Sequence, residues 1–192
     1  MNIIRTAAAI AFATLVASAP ARAVEFNAVQ TDQSKLGFTV KQMGVPVDGK
    51  FRTFSAAIAF DPSRPEAAKA DIQINLASVD AGSSEANEEV IGKQWFNVKA
   101  YPTASFVATG VKPLGGNRYE LAGKLSIKGR TQDALAPFTF KQEGGRGIFD
   151  GSFVIKRADF AIGEGPWADF ATVANEIPVR FHIVAVNATT KQ

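Results

Sequence analysis

An enzyme needs polar side chains that converge, and this chain offers few. Its one histidine, His182, stands between Phe181 and Ile183. A histidine can act as general base or metal ligand. His182, however, is out of phase with Ile177, Val179, Phe181 and Ile183, so on a strand it points away from the apolar face. A Ser-His-Asp site would have to recruit it, and no G-x-S-x-G motif accompanies it. There is no cysteine, which excludes thiol chemistry, zinc–cysteine sites and haem attachment through C-x-x-C-H. Glu85, Glu88 and Glu89 form the densest acidic cluster. They lack EF-hand spacing and suit the solvated first turn of a helix. Neither a catalytic residue nor a metal site is expected.

Three residues around a glycine-rich run have types suited to a ligand's head group. Arg157 and Asp159 flank the start of the run that holds Gly163, Gly165, Pro166 and Trp167. They would either pair with each other to order a rim or, with Trp167, meet a ligand. Gly163-x-Gly165 lacks the lysine and following helix of a phosphate loop. Asn187-Ala-Thr189 matches a glycosylation sequon, a pattern common by chance; neither carries a function. Phenylalanine is abundant at 15 and tyrosine scarce at 2. Such aromatic surface without a polar handle suits a core or a cavity for an apolar ligand.

The elements that would position these residues are strands. In residues 118–131, Tyr119, Leu121, Leu125 and Ile127 fall on one face, with Glu120, Lys124, Ser126 and Lys128 on the other. This is a half-buried antiparallel strand, and Gly123 on its inner face marks a bend or an open space. Residues 34–42 alternate likewise, with Leu36, Phe38 and Val40 inward. The run 45–60 slips phase between Phe51 and Phe54, as a bulge or sharp bend would cause. Asp71–Ser78 carries Ile72, Ile74 and Leu76 inward. Thr103–Val111, Tyr119–Lys128, Ala134–Gln142, Gly147–Arg157 and Ile177–Val186 complete eight strands. Gly115-Gly116-Asn117 and Gly144-Gly145 read as hairpin turns. Residues 82–94 form the one substantial helix, capped by Ser83 or Ser84, with Trp95 and Phe96 plugging an end of the sheet. Eight strands suffice to close a barrel around one small ligand. A ten-residue strand tilted by about 40° spans ~25 Å, a depth suited to a long thin apolar chain.

Residues 1–23 read as a secretory signal peptide: Arg5, a short apolar run, then Ala21-Arg22-Ala23 as cleavage site. The run is too short to span a bilayer. Cleavage after Ala23 would leave residues 24–192 as one domain and place it in the periplasm. Removing Arg5 and Arg22 lowers the formal charge from +3 to +1, so the basic balance does not argue for nucleic acid as a partner.

With the elements placed, the chain resembles the YceI-like family of exported, lipocalin-like lipid-binding proteins. The resemblance rests on motifs in order along almost the whole of residues 24–192. They include Ser34-x-Leu36-x-Phe38-x-Val40, Gly49-x-Phe51-x-x-Phe54, Ser78-Val79-Asp80, Trp95-Phe96-Asn97-Val98 and Tyr101-Pro102-x-x-x-Phe106. Tyr119-x-Leu121-x-Gly123-x-Leu125-Ser126-Ile127-Lys128-Gly129-x-Thr131 and Arg157-x-Asp159-Phe160 complete the set. The resemblance implies an eight-stranded antiparallel barrel, closed at one end by a helix, around an elongated apolar pore. It implies cargo such as a polyisoprenoid lipid, an isoprenoid quinone or another long-chain amphiphile, and no cofactor beyond it. It also implies no catalytic residues and, at times, a membrane cytochrome of the b561 type as partner. The family often has histidines where Gln33 and Gln42 stand, an Arg-Asp-x-His run where Ala86-Asn87-Glu88-Glu89 stands, an aspartate for Gln30 and a glycine for Ala161. This chain keeps the apolar pattern and lacks those polar groups.

The reading is therefore a non-enzymatic carrier, with an envelope interaction protein that supports a membrane redox partner as the alternative. The residues expected to touch the ligand are Phe38, Val40, Phe51, Ile74, Leu76, Trp95, Phe96, Phe106, Leu125, Ile127, Phe138, Phe140, Phe153 and Phe181, with Arg157, Asp159 and Trp167 at the rim. An edge strand offers a place where two copies would pair as a homodimer.

Overall fold

The computed structural model describes residues 24–188. The expected signal peptide lies outside the described residues, as does Thr189 of the sequon. Alternation of apolar and polar residues, which can satisfy only one dry face, produces a single antiparallel sheet. Its strands are β1 (Ala28–Val29), β2 (Lys35–Gln42), β3 (Val45–Phe51), β4 (Phe54–Ala59), β5 (Lys69–Asn75) and β6 (Val79–Asp80). β7 (Thr103–Gly115), β8 (Arg118–Ile127), β9 (Arg130–Glu143), β10 (Arg146–Lys156) and β11 (Glu176–Val186) follow, and one helix, α1 (Ser84–Ile91), interrupts the series.

The sheet runs β4-β5-β7-β8-β9-β10-β11-β2-β3-β6, with β1 paired to β11. Its first strand, β4, and its penultimate strand, β3, are halves of one run of chain broken only at Arg52 and Thr53. That break coincides with the phase slip between Phe51 and Phe54. The bent run brings the sheet round on itself, and Phe26 stitches the seam through backbone hydrogen bonds to Phe60 of 2.8 and 3.1 Å. Counting the bent run once, and setting aside the two-residue β1 and β6, leaves the eight strands expected of a lipocalin-like barrel.

Turn chemistry fixes the register. Met43-Gly44, Gly116-Asn117 and Lys128-Gly129 all have positive φ at both positions, the primed geometry whose twist matches the strands it joins. Two expectations shift locally. Leu76, placed inward on a strand ending at Ser78, instead begins a 3₁₀ turn over Leu76–Ser78. Asn75 starts that turn, its side chain accepting from the Ala77 N–H at 3.0 Å, and Leu76 is still buried at 1% exposure. Lys128 lies in the turn that Lys128-Gly129-Arg130-Thr131 reads as, but its side chain, expected on the wet face, is buried back over the 157–174 segment.

Candidate functional site

The barrel interior is not filled. A packed core would bury every inward side chain, yet Leu36, Phe38, Val40, Phe51, Phe54, Ile72, Ile74, Phe153, Val179 and Phe181 are only half-buried. They face a cavity of about 590 Å³, within the range of small-molecule sites. Apart from Gln42, Lys69, Glu85, Glu89 and Arg157, its lining is apolar.

The phenylalanines leave room because glycines bed them against the wall. Phe38 lies opposite Gly49 and Phe181 opposite Gly151 across their strand pairs. A methyl added at Gly49 would meet Phe38 Cε2 at 2.5 Å. One at Gly151 would meet Phe181 Cε1 at 2.8 Å, and one at Gly123 would meet Phe106 Cε2 at 2.7 Å. The inward space anticipated at Gly123 is thus occupied by the Phe106 ring. Rings laid flat over glycines coat the wall instead of crossing the lumen.

Two buried clusters pack at opposite ends of the cavity. At one end Phe26, Phe60, Tyr119, Phe138, Phe140, Phe149 and Ile183 pack together, with Phe60 edge-on to Tyr119 and Phe149 at centroid distances of 5.4 and 5.1 Å. Edge-to-face packing of this kind stabilises by about 0.5–1.5 kcal/mol per pair beyond area burial. At the other end Leu76, Trp95, Phe106, Leu125, Ile127, Phe160, Ile162 and Val173 form the second cluster.

Of the residues expected to touch a ligand, Phe38, Val40, Phe51, Ile74, Leu76, Trp95, Phe96, Phe106, Leu125, Ile127, Phe138, Phe153 and Phe181 line the cavity. Phe140 does not. It is packed between Phe26, Phe60 and Phe149 at 5.3, 4.9 and 5.1 Å. The partner that covers it, Phe26, is fully buried yet lies outside the alternating runs. Continuing the same periodicity would have added Leu36, Ile72, Val179 and Ile183, all of them lining residues.

The mouth is built by α1, the tip of the β2–β3 hairpin and the segment between β10 and β11. Ser83 caps α1, accepting from the Ala86 N–H at 3.2 Å. None of the residues of α1 is buried. Its Glu85, Ala86, Glu89 and Val90 all border the cavity. The hydrogen bond that Glu85 receives from its own backbone N–H, with a further one from the Ser83 hydroxyl, holds its carboxyl below the usual range. Trp167 donates its indole N–H to Glu89 Oε1 at 2.7 Å and lies 5.5 Å from Trp95, ring centre to ring centre. Trp95 Nε1 is the one buried side-chain donor or acceptor without a partner among the described residues.

Arg157 borders the cavity but forms no ion pair with Asp159 among the described residues. Only 2% exposed, it spends all five N–H donors on backbone carbonyls. Nε donates to Ala174, Nη1 to Ile162 and Gly163, and Nη2 to Trp167 and Val173, at 2.7–3.1 Å. Burial pushes the guanidinium pKa down, though not far enough to discharge an arginine. Phe170 covers it, with the ring centre 5.1 Å from Cζ. Lys128 adds a second pin, donating to the Ala161 carbonyl at 2.5 Å and to Glu164 at 2.9 Å. Ala161, where the resemblance implies a glycine, adopts a left-handed φ of 54°. The Arg157 and Lys128 bonds pin the backbone of the 157–174 segment as a rim. Asp159 is exposed on its outside and does not border the cavity. His182 faces outward on β11, where its Nδ1 lies 2.6 Å from Asp150 Oδ1.

An antiparallel barrel with an open apolar interior and four of its five polar lining residues at one mouth defines a lipocalin-like binding protein. The YceI-like domain profile matches residues 28–185, and the chain belongs to that family. A UPF0312 protein of Azotobacter vinelandii is 32% identical over 134 residues, covering 66% of this chain and 70% of the relative. A Pseudomonas putida UPF0312 protein is 29% identical over 184 residues, covering 91% and 95%. Among solved structures, Burkholderia cenocepacia BcnA superposes with a TM-score of 0.81 at 42% identity, over 82% of this chain and 99% of that one. A polyisoprenoid binding domain from Saccharophagus degradans shares the fold at 16% identity, with a TM-score of 0.66 over 86% and 99%.

Proposed function

We propose that the protein is a carrier that holds the apolar tail of an isoprenoid lipid, an isoprenoid quinone or a similar amphiphile inside the barrel, to transport or sequester it. One observation carries this reading: inward-facing strand side chains stay half-buried around an open apolar cavity of about 590 Å³. Burying tail surface there gains about 25 cal/mol per Å², and no group in the wall needs to react with it. The fold it shares with a polyisoprenoid binding domain supports the tail class. The signal-like residues 1–23 support export to the periplasm, where such a lipid must be shielded from water.

The test is a detergent-free titration with a polyprenol and an isoprenoid quinone, run beside Leu125→Trp. Leu125 is 5% exposed and borders the cavity, so the larger side chain occupies tail space. Binding by the parent and its loss in a folded Leu125→Trp protein would support the carrier. Equal binding by both would remove the cavity from the account.

A second reading has its own observation. Phe170, Met43 and Val45 are 51%, 73% and 62% exposed, and the Met43 N–H donates to the Thr172 carbonyl at 2.8 Å, which places the hairpin tip beside the Phe170 segment. Such an apolar patch suits docking on a membrane partner such as a b561-type cytochrome. Co-purification that depends on Phe170 and Met43 would favour it.

A further inference from the structure

We propose that the mouth selects cargo with an uncharged alcohol head group and turns away anionic heads. The inference deepens the carrier reading and rests on it.

Four charged residues border the cavity: Lys69, Glu85, Glu89 and Arg157. Lys69 belongs to the far end, where its strand partner is Ala59, next to Phe60 of the aromatic cluster. The mouth thus holds two carboxylates and one guanidinium. Glu85 and Glu89 are four residues apart on α1, hence on one face. The Ser83 hydroxyl and the Glu85 N–H favour the ionised form of Glu85. Glu89 uses one oxygen on the Trp167 indole, which leaves lone pairs free on a group with about four acceptor sites. Arg157 does not balance them as a ligand-binding group, because every N–H it has already meets a carbonyl. A phosphate or carboxylate head would find repulsion and no free guanidinium donor. A head that donates would find two acceptors.

The remaining need of the site is an acceptor. Trp95 Nε1 is buried without a partner in a residue that borders the cavity. Protein interiors rarely leave such a donor unmatched. Trp167 lies against Trp95, and its own N–H is directed to Glu89. A head group that parts the two indoles brings its oxygen to Trp95 Nε1 and its proton to Glu89. A hydroxyl does both with one atom and no charge, whereas a plain hydrocarbon does neither.

The test is native mass spectrometry of the full chain, purified without detergent and offered three C20 prenyl probes with one tail: the alcohol, the monophosphate and the hydrocarbon. Loss of one hydrogen bond to a buried donor corresponds to about fivefold to tenfold in affinity, so the alcohol should exceed the hydrocarbon by that factor. The monophosphate should bind at least about tenfold more weakly than the alcohol. Trp95→Phe keeps a ring but loses the N–H, and should erase the advantage of the alcohol over the hydrocarbon. Glu85→Gln with Glu89→Gln changes two exposed side chains and, in protein whose far-UV circular dichroism matches the parent, should narrow the gap to the monophosphate. Monophosphate binding as tight as the alcohol, or an alcohol no better than the hydrocarbon, would overturn the head-group inference while leaving the carrier intact. Failure of all three probes to bind would overturn both.

Discussion

Replacing Gly49 by alanine tests the bedding of rings on glycines that keeps the lumen open. The added methyl would sit 2.5 Å from Phe38 Cε2 and 2.9 Å from the Asp80 carbonyl oxygen, against an ordinary contact of 3.4–4 Å. The Phe38 ring must therefore move inward by about 1 Å, an overpacking that costs about 1–3 kcal/mol. For a domain of this size, Tm should fall by about 2–12 °C. Gly49 does not need a positive φ, so backbone strain is not the cause. Elsewhere, a glycine-to-alanine change at a compatible position stabilises by about 0.4–1 kcal/mol through the unfolded chain. The diagnostic is a double-mutant cycle read by thermal unfolding followed by far-UV circular dichroism. In a Phe38→Leu background the part of the Gly49→Ala loss that comes from the ring should vanish, leaving only the contact with the Asp80 carbonyl. Tail binding should also weaken in the single Gly49→Ala variant, since the displaced ring enters the lumen. A Tm unchanged within about 1 °C, or the same loss with leucine at 38, would refute the bedding argument.

Arg157→Met should strand five carbonyls, three of them on buried residues, and destabilise by about 3–5 kcal/mol, the scale seen when one partner of a buried charged network is removed. Hydrogen exchange should show the 157–174 rim losing protection first; protection unchanged there would contradict the clamp. Acid should destabilise the fold with a definite sign. Hydrogen bonds from Ser63, with Arg64 beside them, depress the Asp61 carboxyl, and the Arg52 hydrogen bond depresses Asp80. Their contribution is present above the unfolded carboxylate value of about 4 and is lost as pH falls through the lower folded values. Tm measured from pH 6 to pH 3 should therefore drop, and Asp61→Asn should both lower the neutral plateau and flatten that limb.

Much of the barrel was legible because alternation has one physical meaning: a strand with one wet face. The hairpins at Gly116-Asn117 and Gly144-Gly145, the bend at Phe51–Phe54 and the cap at Ser83 could all be read from residue type. The lining was legible for the same reason, since Phe38, Phe106, Leu125 and Phe181 share an inward phase. Phe140 shared it too and still proved to be core. Periodicity gives direction, not depth along the barrel, and Phe26 comes from outside any periodic run to cover that end. The rim was least legible. A sequence shows that Arg157 and Asp159 are near each other, but five carbonyls supplied by residues 162–174 satisfy the guanidinium, and carbonyls carry no residue-type signal. The Glu89–Trp167 bond spans 78 positions of chain and links residues whose local patterns are unrelated.

The central claim is that the cavity carries an apolar tail. Its most direct test is to express the full precursor, purify the protein without detergent, extract it with organic solvent and weigh what comes out by mass spectrometry. A prenyl lipid or quinone at close to one per chain, absent from a Leu125→Trp preparation, is the result expected. An extract empty of any amphiphile, together with no uptake of added polyprenol or quinone, would contradict it.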